Sequence, residues 1–473
     1  MGHTGRSLYC QTRVTKVKDT IAAISTPPGT GGIGIIRVSG PGSEEIGRLL
    51  FKSRKKVEHF RTHHLYHGDI VSLEKGTVLD EVLITIMRKP HSYTGEDVLE
   101  INCHGGPVIL QAILGEIIKA GARLAEPGEF TRRAFLNNRL DLSQAEAVSD
   151  MIMARTDRGL DLAITQLKGN LSKRTESFRS SIIDILAFLE ISIDFPEEDI
   201  EVPPAPELAG RIQVITDNLR ELLSTYSEGK VYRDGISAVI IGKPNVGKSS
   251  LLNRLLGEKR VIVASTPGTT RDFIEEVINI KGIPLRLIDT AGIRDAENII
   301  EKEGIEIVRG KLSSADIIII VLDGSEKLTR EDLGIIKKNR HRNCVLVINK
   351  SDLPHMLNDQ ELNSLLPGIK PLRISAKYGD GIPSLKEHIH SFIISKTDDH
   401  RSEIIITNLR HKTALEKTVK LLSKARENML EGISPEFAAL DLRESLESMG
   451  EIVGETINED VLDRIFATFC IGK

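Results

Sequence analysis

A stretch in the middle of the chain has the residue types and the spacing of a phosphate-binding loop. Its glycines let backbone N–H groups approach an anion, its lysine can reach the β- and γ-phosphates, and the hydroxyl that follows can ligate Mg²⁺. The stretch is Gly242-Lys243-Pro244-Asn245-Val246-Gly247-Lys248-Ser249, and it lies between the apolar run 236–241 and the helical pattern of 251–256. It predicts a nucleoside triphosphate site at the start of a helix.

Further motifs follow in the order that is typical of guanine nucleotide-binding domains. Asp289-Thr290-Ala291-Gly292 follows an apolar run, where a carboxylate can hold a magnesium-bound water and a glycine N–H can contact the γ-phosphate. Thr270 lies before it, at the place of a switch hydroxyl that ligates Mg²⁺ together with Ser249. Asn349-Lys350-Ser351-Asp352 and Ser375-Ala376-Lys377 each end a predicted strand. The Asp352 carboxylate can pair with two nitrogens of guanine, which adenine does not offer, so GTP is the predicted nucleotide.

The catalytic details differ from the Ras pattern. Ile293 follows Gly292 and cannot orient an attacking water as glutamine does. The amide oxygen of Asn245 suits a hard monovalent cation that bridges the β- and γ-phosphates, but the same residue could simply close a turn. Glu301 and Glu303 are both candidate water-orienting carboxylates, and either could be a surface charge on a helix. The predicted nucleotide contacts are Asn245, Val246, Gly247, Lys248, Ser249, Ser250, Asp289, Thr290, Ala291, Gly292, Asn349, Lys350, Asp352, Ser375 and Ala376.

The elements that must position these residues change in type along the chain. Short apolar runs separated by glycine predict a sheet-containing domain up to about residue 120, with strands at 33–38, 82–87 and 98–103. Apolar residues then recur at helical spacing, with a break at the prolines after residue 195 and a further helix to about residue 227. The apolar runs 236–241, 285–288, 317–322, 345–348 and 372–374 predict a parallel sheet with crossover helices, and helical patterning returns after about residue 395.

The predicted fold class is multidomain, combining α/β and α+β architecture. We expect an N-terminal α+β domain at residues 1–135 and the first part of a helical domain at residues 136–234. A Ras-like P-loop GTPase domain at residues 235–396 is inserted before the second part of the helical domain at residues 397–473. Several cores are expected in a chain of 473 residues.

Composition limits the classes of function. The chain carries 63 basic and 67 acidic side chains and a net charge of −4, so any RNA contact must be local or shared with a partner. The longest aliphatic run, 317–322, is too short to span a bilayer, and we expect a soluble protein with no membrane contact. The cysteines at 10, 103, 344 and 470 form no C-x-x-C pair, which indicates a reducing, cytoplasmic location.

Several motifs outside the nucleotide site point to one family. They are Thr26-Pro27-Pro28-Gly29, the stretch 93–100, His104-Gly105-Gly106-Pro107, the stretch 126–131 and Cys470-Ile471-Gly472-Lys473. From about residue 21 to residue 473 the chain resembles the bacterial tRNA-modification GTPases called MnmE or TrmE. The resemblance implies a homodimer that pairs with the flavin-dependent protein MnmG. Together they install an aminomethyl or carboxymethylaminomethyl group at C5 of the wobble uridine of tRNA.

The resemblance also assigns roles to residues by position. It implies K⁺ ligands at Asn245, Ala264, Thr266 and Thr269, the switch magnesium ligand at Thr270, and the catalytic glutamate at Glu301 rather than Glu303. It makes the N-terminal domain folate-binding-like and dimerising. A site for 5-formyltetrahydrofolate or a related reduced folate maps to Arg37, Glu100, Arg139 and Lys473, although lysine is common in the family at position 139. Arg37 and Glu100 also fit a plain interpretation as strand-end surface charges, and Cys470 is either a reactive or an inert thiol.

A regulatory GTPase that acts in ribosome assembly is the alternative function. Such a protein would favour an RNA-binding module with a G-x-x-G loop beside the GTPase domain, whereas the flanking segments here are helical and mixed in charge. Membrane remodelling would need a long apolar or strongly basic helix, which the sequence lacks. We therefore expect a GTP hydrolase that acts in the modification of the tRNA wobble uridine.

Overall fold

The structure is a computed structural model that describes residues 19–54, 57, 59–195, 201–257, 275–288, 315–394 and 404–472. The chain divides into two compact units. The first contains Met1–Ser149 and Gly450–Lys473, and the second contains Asp150–Met449. The first unit thus holds both ends of the chain. The finer division at residues 135, 234 and 396 stays a prediction.

A seven-stranded sheet forms the centre of the first unit. Its strands are β1 (Ile21–Ile24), β2 (Gly31–Ser39), β3 (Phe51–Ser53), β4 (Leu65–Val71), β5 (Val78–Met87), β6 (Val98–Gly105) and β7 (Arg123–Leu124), in the order β3-β4-β5-β6-β2-β1-β7. β2 and β6 are antiparallel, and their register puts Arg37 opposite Glu100. The three strands predicted for this region lie within β2, β5 and β6.

Helices α1 (Ser43–Leu50) and α2 (Pro107–Lys119) cover one face of this sheet. α2 buries Leu110, Ile113 and Ile117, which share one side of the helix because they are three or four residues apart. The helices α3 (Glu129–Leu136) and α4 (Leu142–Met153) follow β7. The start of α4 packs in a second apolar cluster with Leu462 and Phe466 of the C-terminal helix Glu459–Phe466.

The second unit begins with helices that carry the predicted apolar face. They are α5 (Asp157–Leu167), α6 (Asn170–Asp194), α7 (Ala205–Ser224) and α8 (Tyr226–Asp234). On α6 the buried residues include Phe178, Ile182 and Leu189. The prediction that helix ends at about residue 227 was wrong, because α8 continues to Asp234. Gly235, with a φ of 73°, ends it and lets the next strand begin at once.

A six-stranded sheet follows, made of β8 (Ile236–Ile241), β9 (Glu275–Ile280), β10 (Ile283–Ile288), β11 (Ile317–Asp323), β12 (Cys344–Asn349) and β13 (Leu372–Arg373). Its strand order is β13-β12-β11-β8-β10-β9. The five predicted strands are parallel, as expected. The sheet has one strand that was not predicted, β9, which is antiparallel to β10 at the edge. Lys281 and Gly282 join them with φ values of 51° and 92°, as a tight hairpin turn requires.

Helices α9 (Lys248–Gly257), α10 (Arg330–Asn339), α11 (Asp359–Leu365) and α12 (Ile382–Ile394) accompany this sheet. Ile317, Ile319 and Val321 of β11 belong to one apolar cluster, and the residues between them belong to another. Both faces of the sheet are therefore covered, as in doubly wound α/β folds. The loops after β8 and β12 lie at the carboxyl ends of parallel strands, where ligands bind in such folds.

The helix α13 (Leu409–Leu430) and α14 (Pro435–Val453) as far as Met449 complete the helical part of the second unit, and α13 packs along α7. The GTPase-type sheet is thus inserted between two stretches of helix. Within the described ranges, no helix is both long and apolar enough to cross a membrane.

Candidate functional site

The phosphate-binding loop connects β8 to α9. Val246 is fully buried and anchors the loop in the core below the sheet. Asn245 and Gly247 have φ values of 62° and 94°, so the chain turns sharply on both sides of this anchor. A Cβ on Gly247 would collide with the side chain of Asn349. Glycine at position 247 is therefore required by close packing as well as by the backbone.

Lys248 contacts the loop through its ammonium group. Its Nζ donates to the carbonyl oxygens of Gly242, at 3.0 Å, and Lys243, at 2.8 Å. Ser249 and Ser250 are exposed in the first turn of α9. An exposed hydroxyl beside a helix N-terminus fits the ligand set of Mg²⁺ bound to phosphate.

Asn349 ties three of the predicted motifs together. Its Nδ2 donates to the carbonyl of Val246 at 2.7 Å, and its Oδ1 accepts from the N–H of Ala376 at 2.9 Å. The residue is only 3% exposed, so both bonds are made away from water. The phosphate loop is therefore held in a fixed position relative to the loop that carries Ser375, Ala376 and Lys377, which we call the guanine loop after its predicted ligand.

Asp352, the predicted guanine contact, lies on the loop after β12. It is exposed, and the Ser375 hydroxyl donates to its Oδ1 at 2.7 Å. The neighbouring Lys350 pairs with Asp323 Oδ2 at 2.5 Å. Burial alone would raise the pKa of Asp323, but hydrogen bonds from Lys350 and Ser325 outweigh it and lower the pKa. The loop that carries Asp352 is thus fastened to the end of β11.

Arg254 is a contact of the guanine loop that the sequence motifs missed. It lies on α9, and its Nε and Nη2 donate to the carbonyls of Ala376, at 3.3 Å, and Lys377, at 2.5 Å. A cavity of about 310 Å³ beside it is lined by Ser250, Asn253, Arg254, Gly257 and Ala376. No spacing rule marks such a residue, because its partners are more than a hundred positions further along the chain.

Arg37 and Glu100 form an ion pair on the sheet of the first unit. Arg37 Nε and Nη2 donate to Glu100 Oε1 at 2.8 and 2.7 Å, and the side chains are 14% and 20% exposed. The guanidinium also lies 5.3 Å from the Tyr93 ring centroid and 5.8 Å from that of Phe130. The interpretation as strand-end surface charges was wrong, since both residues lie within strands and are mostly covered.

The C-terminal segment reaches this ion pair. The carbonyl of Gly472 accepts from Arg37 Nη1 and from Ser25 Oγ, both at 3.3 Å. The thiol of Cys470 is exposed, and its backbone carbonyl accepts from Gly128 N at 3.5 Å. Arg139 is exposed after the end of α3, and among the described residues its side chain shows no contact with this group. The structure thus describes three of the four predicted folate-binding residues, and two of these, Arg37 and Glu100, are in contact.

A charged cluster connects the segments next to this ion pair. Arg133, with 5% of its side chain exposed, donates to Asp19, Glu96 and Glu129. Burial would raise the pKa of Glu129, but hydrogen bonds from Arg123, the Glu126 N–H and Arg133 lower it overall. The cluster joins the start of β1 to β7 and α3.

Comparisons with known proteins agree over most of the chain. A family model described as the MnmE helical domain matches residues 142–470, and one described as the GTP-binding protein TrmE N-terminus matches residues 20–139. The tRNA modification GTPase MnmE of Syntrophus aciditrophicus is 54% identical over 457 residues, which are 97% of this chain and 100% of that protein. The chain belongs to the MnmE family of tRNA modification GTPases.

Another MnmE protein, from Natranaerobius thermophilus, is 48% identical over 456 residues, which are 96% of this chain and 100% of that protein. Among solved structures, the FeoB G-domain from Methanococcus jannaschii is 24% identical. The match covers 34% of this chain and 97% of the FeoB G-domain, with a TM-score of 0.26.

Several predicted site residues lie outside the described residues, and their roles stay predictions. They comprise the switch and cation-loop positions, the motif after β10, the candidate glutamates and the terminal lysine. They are Ala264, Thr266, Thr269, Thr270, Asp289, Thr290, Ala291, Gly292, Glu301, Glu303 and Lys473.

Proposed function

We propose that this chain is a K⁺-dependent GTPase that acts as a homodimer with a flavin-dependent partner and modifies C5 of the wobble uridine in tRNA. Membership of the MnmE family carries the coarser part, GTP hydrolysis in tRNA modification. The observation that supports a working GTP site is the bridge that Asn349 makes between Val246 and Ala376. It holds the phosphate loop and the guanine loop ready for one nucleotide.

Guanine is the base that the Asp352 loop suits. Ser375 holds one carboxylate oxygen of the exposed Asp352, which orients the group for two parallel hydrogen bonds from a guanine edge. Adenine would leave the carboxylate without a donor, and such sites discriminate by about 10⁴ or more. The site therefore favours GTP over ATP.

The cations in this proposal are held by oxygen ligands. Ser249 and Thr270 hold Mg²⁺, and Asn245 holds K⁺ together with Ala264, Thr266 and Thr269. Asn245 is exposed and has a left-handed φ of 62°, so its amide oxygen is accessible to a hard cation. The bound K⁺ supplies the positive charge that an arginine finger gives in other GTPases. Glu301 orients the attacking water.

The rate of GTP hydrolysis in KCl and in NaCl tests this proposal. Losing one stabiliser of the transition-state charge slows such reactions by about 10²–10³, so hydrolysis should be slower in Na⁺ by that order. Asn245→Ala should remove the response to K⁺, whereas the control Asn343→Ala, at an exposed asparagine before β12, should keep it. Equal rates in the two salts would contradict K⁺ dependence but leave the GTPase assignment in place.

The ion pair of Arg37 and Glu100 supports a reduced folate as the ligand of the N-terminal domain. Both hydrogen bonds from Arg37 go to Glu100 Oε1, so the carboxylate keeps acceptor capacity for a pterin edge. Arg139 and Lys473 suit the glutamyl carboxylates of the ligand. Cys470 is exposed on the segment that reaches Arg37, and we assign it a chemical role there.

Calorimetry with 5-formyltetrahydrofolate tests the folate site. The wild-type protein should bind, and Glu100→Gln should weaken binding by about tenfold because it removes a charge-assisted hydrogen bond. The control is Glu81→Gln, at an exposed glutamate on the same sheet. No binding heat from the wild-type protein would remove the folate role, and an equal effect of both variants would remove Glu100 from the site.

One face of the N-terminal sheet supports a homodimer. The register places Leu65, Thr85, Glu100 and Arg37 in one row across four strands. Leu65 and Leu83 are 58% and 42% exposed on this face, and α1 and α2 cover the opposite one. A second copy that contacts the exposed part of this face would bury these leucines beside the proposed folate site.

A further inference from the structure

Lys243, the second residue of the phosphate loop, pairs with acidic side chains outside the loop. Its Nζ lies 2.8 Å from Glu326 Oε2 and 3.5 Å from Asp332 Oδ2. Only 12% of the lysine side chain is exposed. A lysine loses hydration when it is covered to this extent, so the ammonium depends on these two carboxylates.

Asp332 is fixed independently of the lysine. It is the third residue of α10, and its Oδ2 accepts from the N–H of Thr329 at 2.9 Å and from the Thr329 hydroxyl at 2.6 Å. The Thr329 hydroxyl in turn accepts from the Asp332 N–H, which completes a capping box. The Asp332 side chain is 3% exposed. Lys243 is therefore tied to a rigid point at the start of a helix.

The backbone of Lys243 has a second task. Its carbonyl accepts from Lys248 Nζ at 2.8 Å, beside the carbonyl of Gly242 at 3.0 Å. The side chain of Lys243 thus fastens the loop to α10, while its carbonyl holds the lysine that must reach the phosphates. A change in the position of Lys243 moves this carbonyl with it.

We propose that Lys243 is a positioning residue, whose pairing with Glu326 and Asp332 sets the phosphate loop in the shape that aims Lys248 at the nucleotide phosphates. This inference rests on the proposed GTP site. Lys243 does not touch the nucleotide in this role, because its ammonium is occupied by α10 and the loop before it. The two carboxylates differ in their exposure to solvent, which weakens an ion pair. Glu326 is 58% exposed, whereas Asp332 is buried.

A direct electrostatic role is the competing explanation, and it differs in sign. If Lys243 only attracted phosphate by its charge, removing the negative charge of Glu326 would tighten nucleotide binding. If Lys243 instead holds the phosphate loop in shape, the same change weakens its ion pair with Glu326 and therefore weakens nucleotide binding. The variant Glu326→Gln therefore separates the two explanations.

The test measures the affinity of the full-length protein for fluorescent GDP, together with kcat and KM for GTP. Lys243→Met should weaken GDP binding by about tenfold, as expected for losing a hydrogen bond between charged groups, and Lys243→Arg should restore most of it. Glu326→Gln should weaken binding by about twofold, given its exposure. Glu331→Gln, at an exposed glutamate in the first turn of α10, is the matched control and should leave the affinity unchanged.

If Lys243 is a positioning residue, its loss should raise KM more than it lowers kcat. The effects of Lys243→Met and Glu326→Gln should be less than additive, because both changes remove the same ion pair. Tighter GDP binding by Glu326→Gln, or wild-type GDP affinity in Lys243→Met, would contradict the positioning role of Lys243 but leave the GTP site in place. Absence of GDP binding by the wild-type protein would instead overturn the proposed function.

Discussion

At the scale of single residues, Asn349 uses both ends of its side-chain amide inside the protein. The amide nitrogen meets Val246 and the amide oxygen meets Ala376, so no other side chain of this size supplies both partners. Aspartate would lose the donor, and alanine would leave a buried carbonyl and a buried N–H unpaired. Either substitution therefore weakens the link between the phosphate loop and the guanine loop and removes no contact with the nucleotide.

Asn349→Ala should therefore weaken GDP binding by about tenfold or more, because each buried group left unpaired costs about 1–3 kcal/mol. Isothermal titration with GDP measures the change. Asn343→Ala is the control, since Asn343 lies just before the start of the same strand and donates to the carbonyl of Asp316. An unchanged affinity in Asn349→Ala would show that the bridge is not needed for binding.

The nucleotide motifs could be identified from sequence because phosphate and guanine restrict both residue type and spacing. Two contacts could not be found in this way. Arg254 donates to the guanine loop, and Lys243 pairs with Asp332 at the start of α10. Both pairings join residues more than eighty positions apart. Such pairs depend on how the elements pack, and a basic side chain carries no spacing signal of its own.

At the scale of elements, the strands of the central sheet were predictable where they are continuous apolar runs. β11 is buried throughout, as a strand covered on both faces must be. β9 was missed because it begins with glutamates and pairs only at the edge of the sheet. Its direction follows from the tight turn at Lys281 and Gly282, which is too short for a crossover helix.

The charged cluster around α3 predicts a dependence of stability on pH. The pKa of Glu129 is below its usual 4.5 in the folded protein, so the folded state is favoured while the carboxyl is ionised. This contribution is complete above about pH 4.5 and is lost as the pH falls through the lowered pKa. Asp19 shifts in the same direction, because the hydrogen bonds from Arg133 and Arg123 outweigh its burial and lower its pKa.

Thermal unfolding followed by circular dichroism from pH 7 to pH 3 measures this effect. Glu129→Gln should be less stable than wild type at neutral pH, and the difference should shrink below about pH 4.5. Glu126→Gln, at an exposed glutamate before α3, is the control and should follow the wild-type curve. A constant difference between Glu129→Gln and wild type over the whole range would contradict the linkage.

At the scale of the whole molecule, the first unit contains both ends of the chain. Gly472 accepts hydrogen bonds from Ser25 and Arg37, which lie 447 and 435 positions earlier. Sequence alone pointed to this meeting only through the resemblance, since no local pattern reports contacts over such a separation. Along the chain, α5 to α8 precede the six-stranded sheet and α13 and α14 follow it, as the order of the sequence patterns predicted.

Docking of the C-terminal segment requires glycine at position 472. It has a φ of 91°, and a Cβ there would lie 2.6 Å from the carbonyl oxygen of Ile24. Gly472→Ala should therefore release the segment and speed hydrogen exchange in peptides that cover β1 and β2, by an amount equivalent to about 1–3 kcal/mol of local stability. Gly432→Ala is the matched control, because Gly432 has a φ of 69° but no atom within 4 Å of its Cβ position. That variant carries the backbone strain without the collision, so exchange in β1 and β2 should stay at the wild-type rate. Equal exchange in the two variants would mean that the terminal segment does not stabilise these strands.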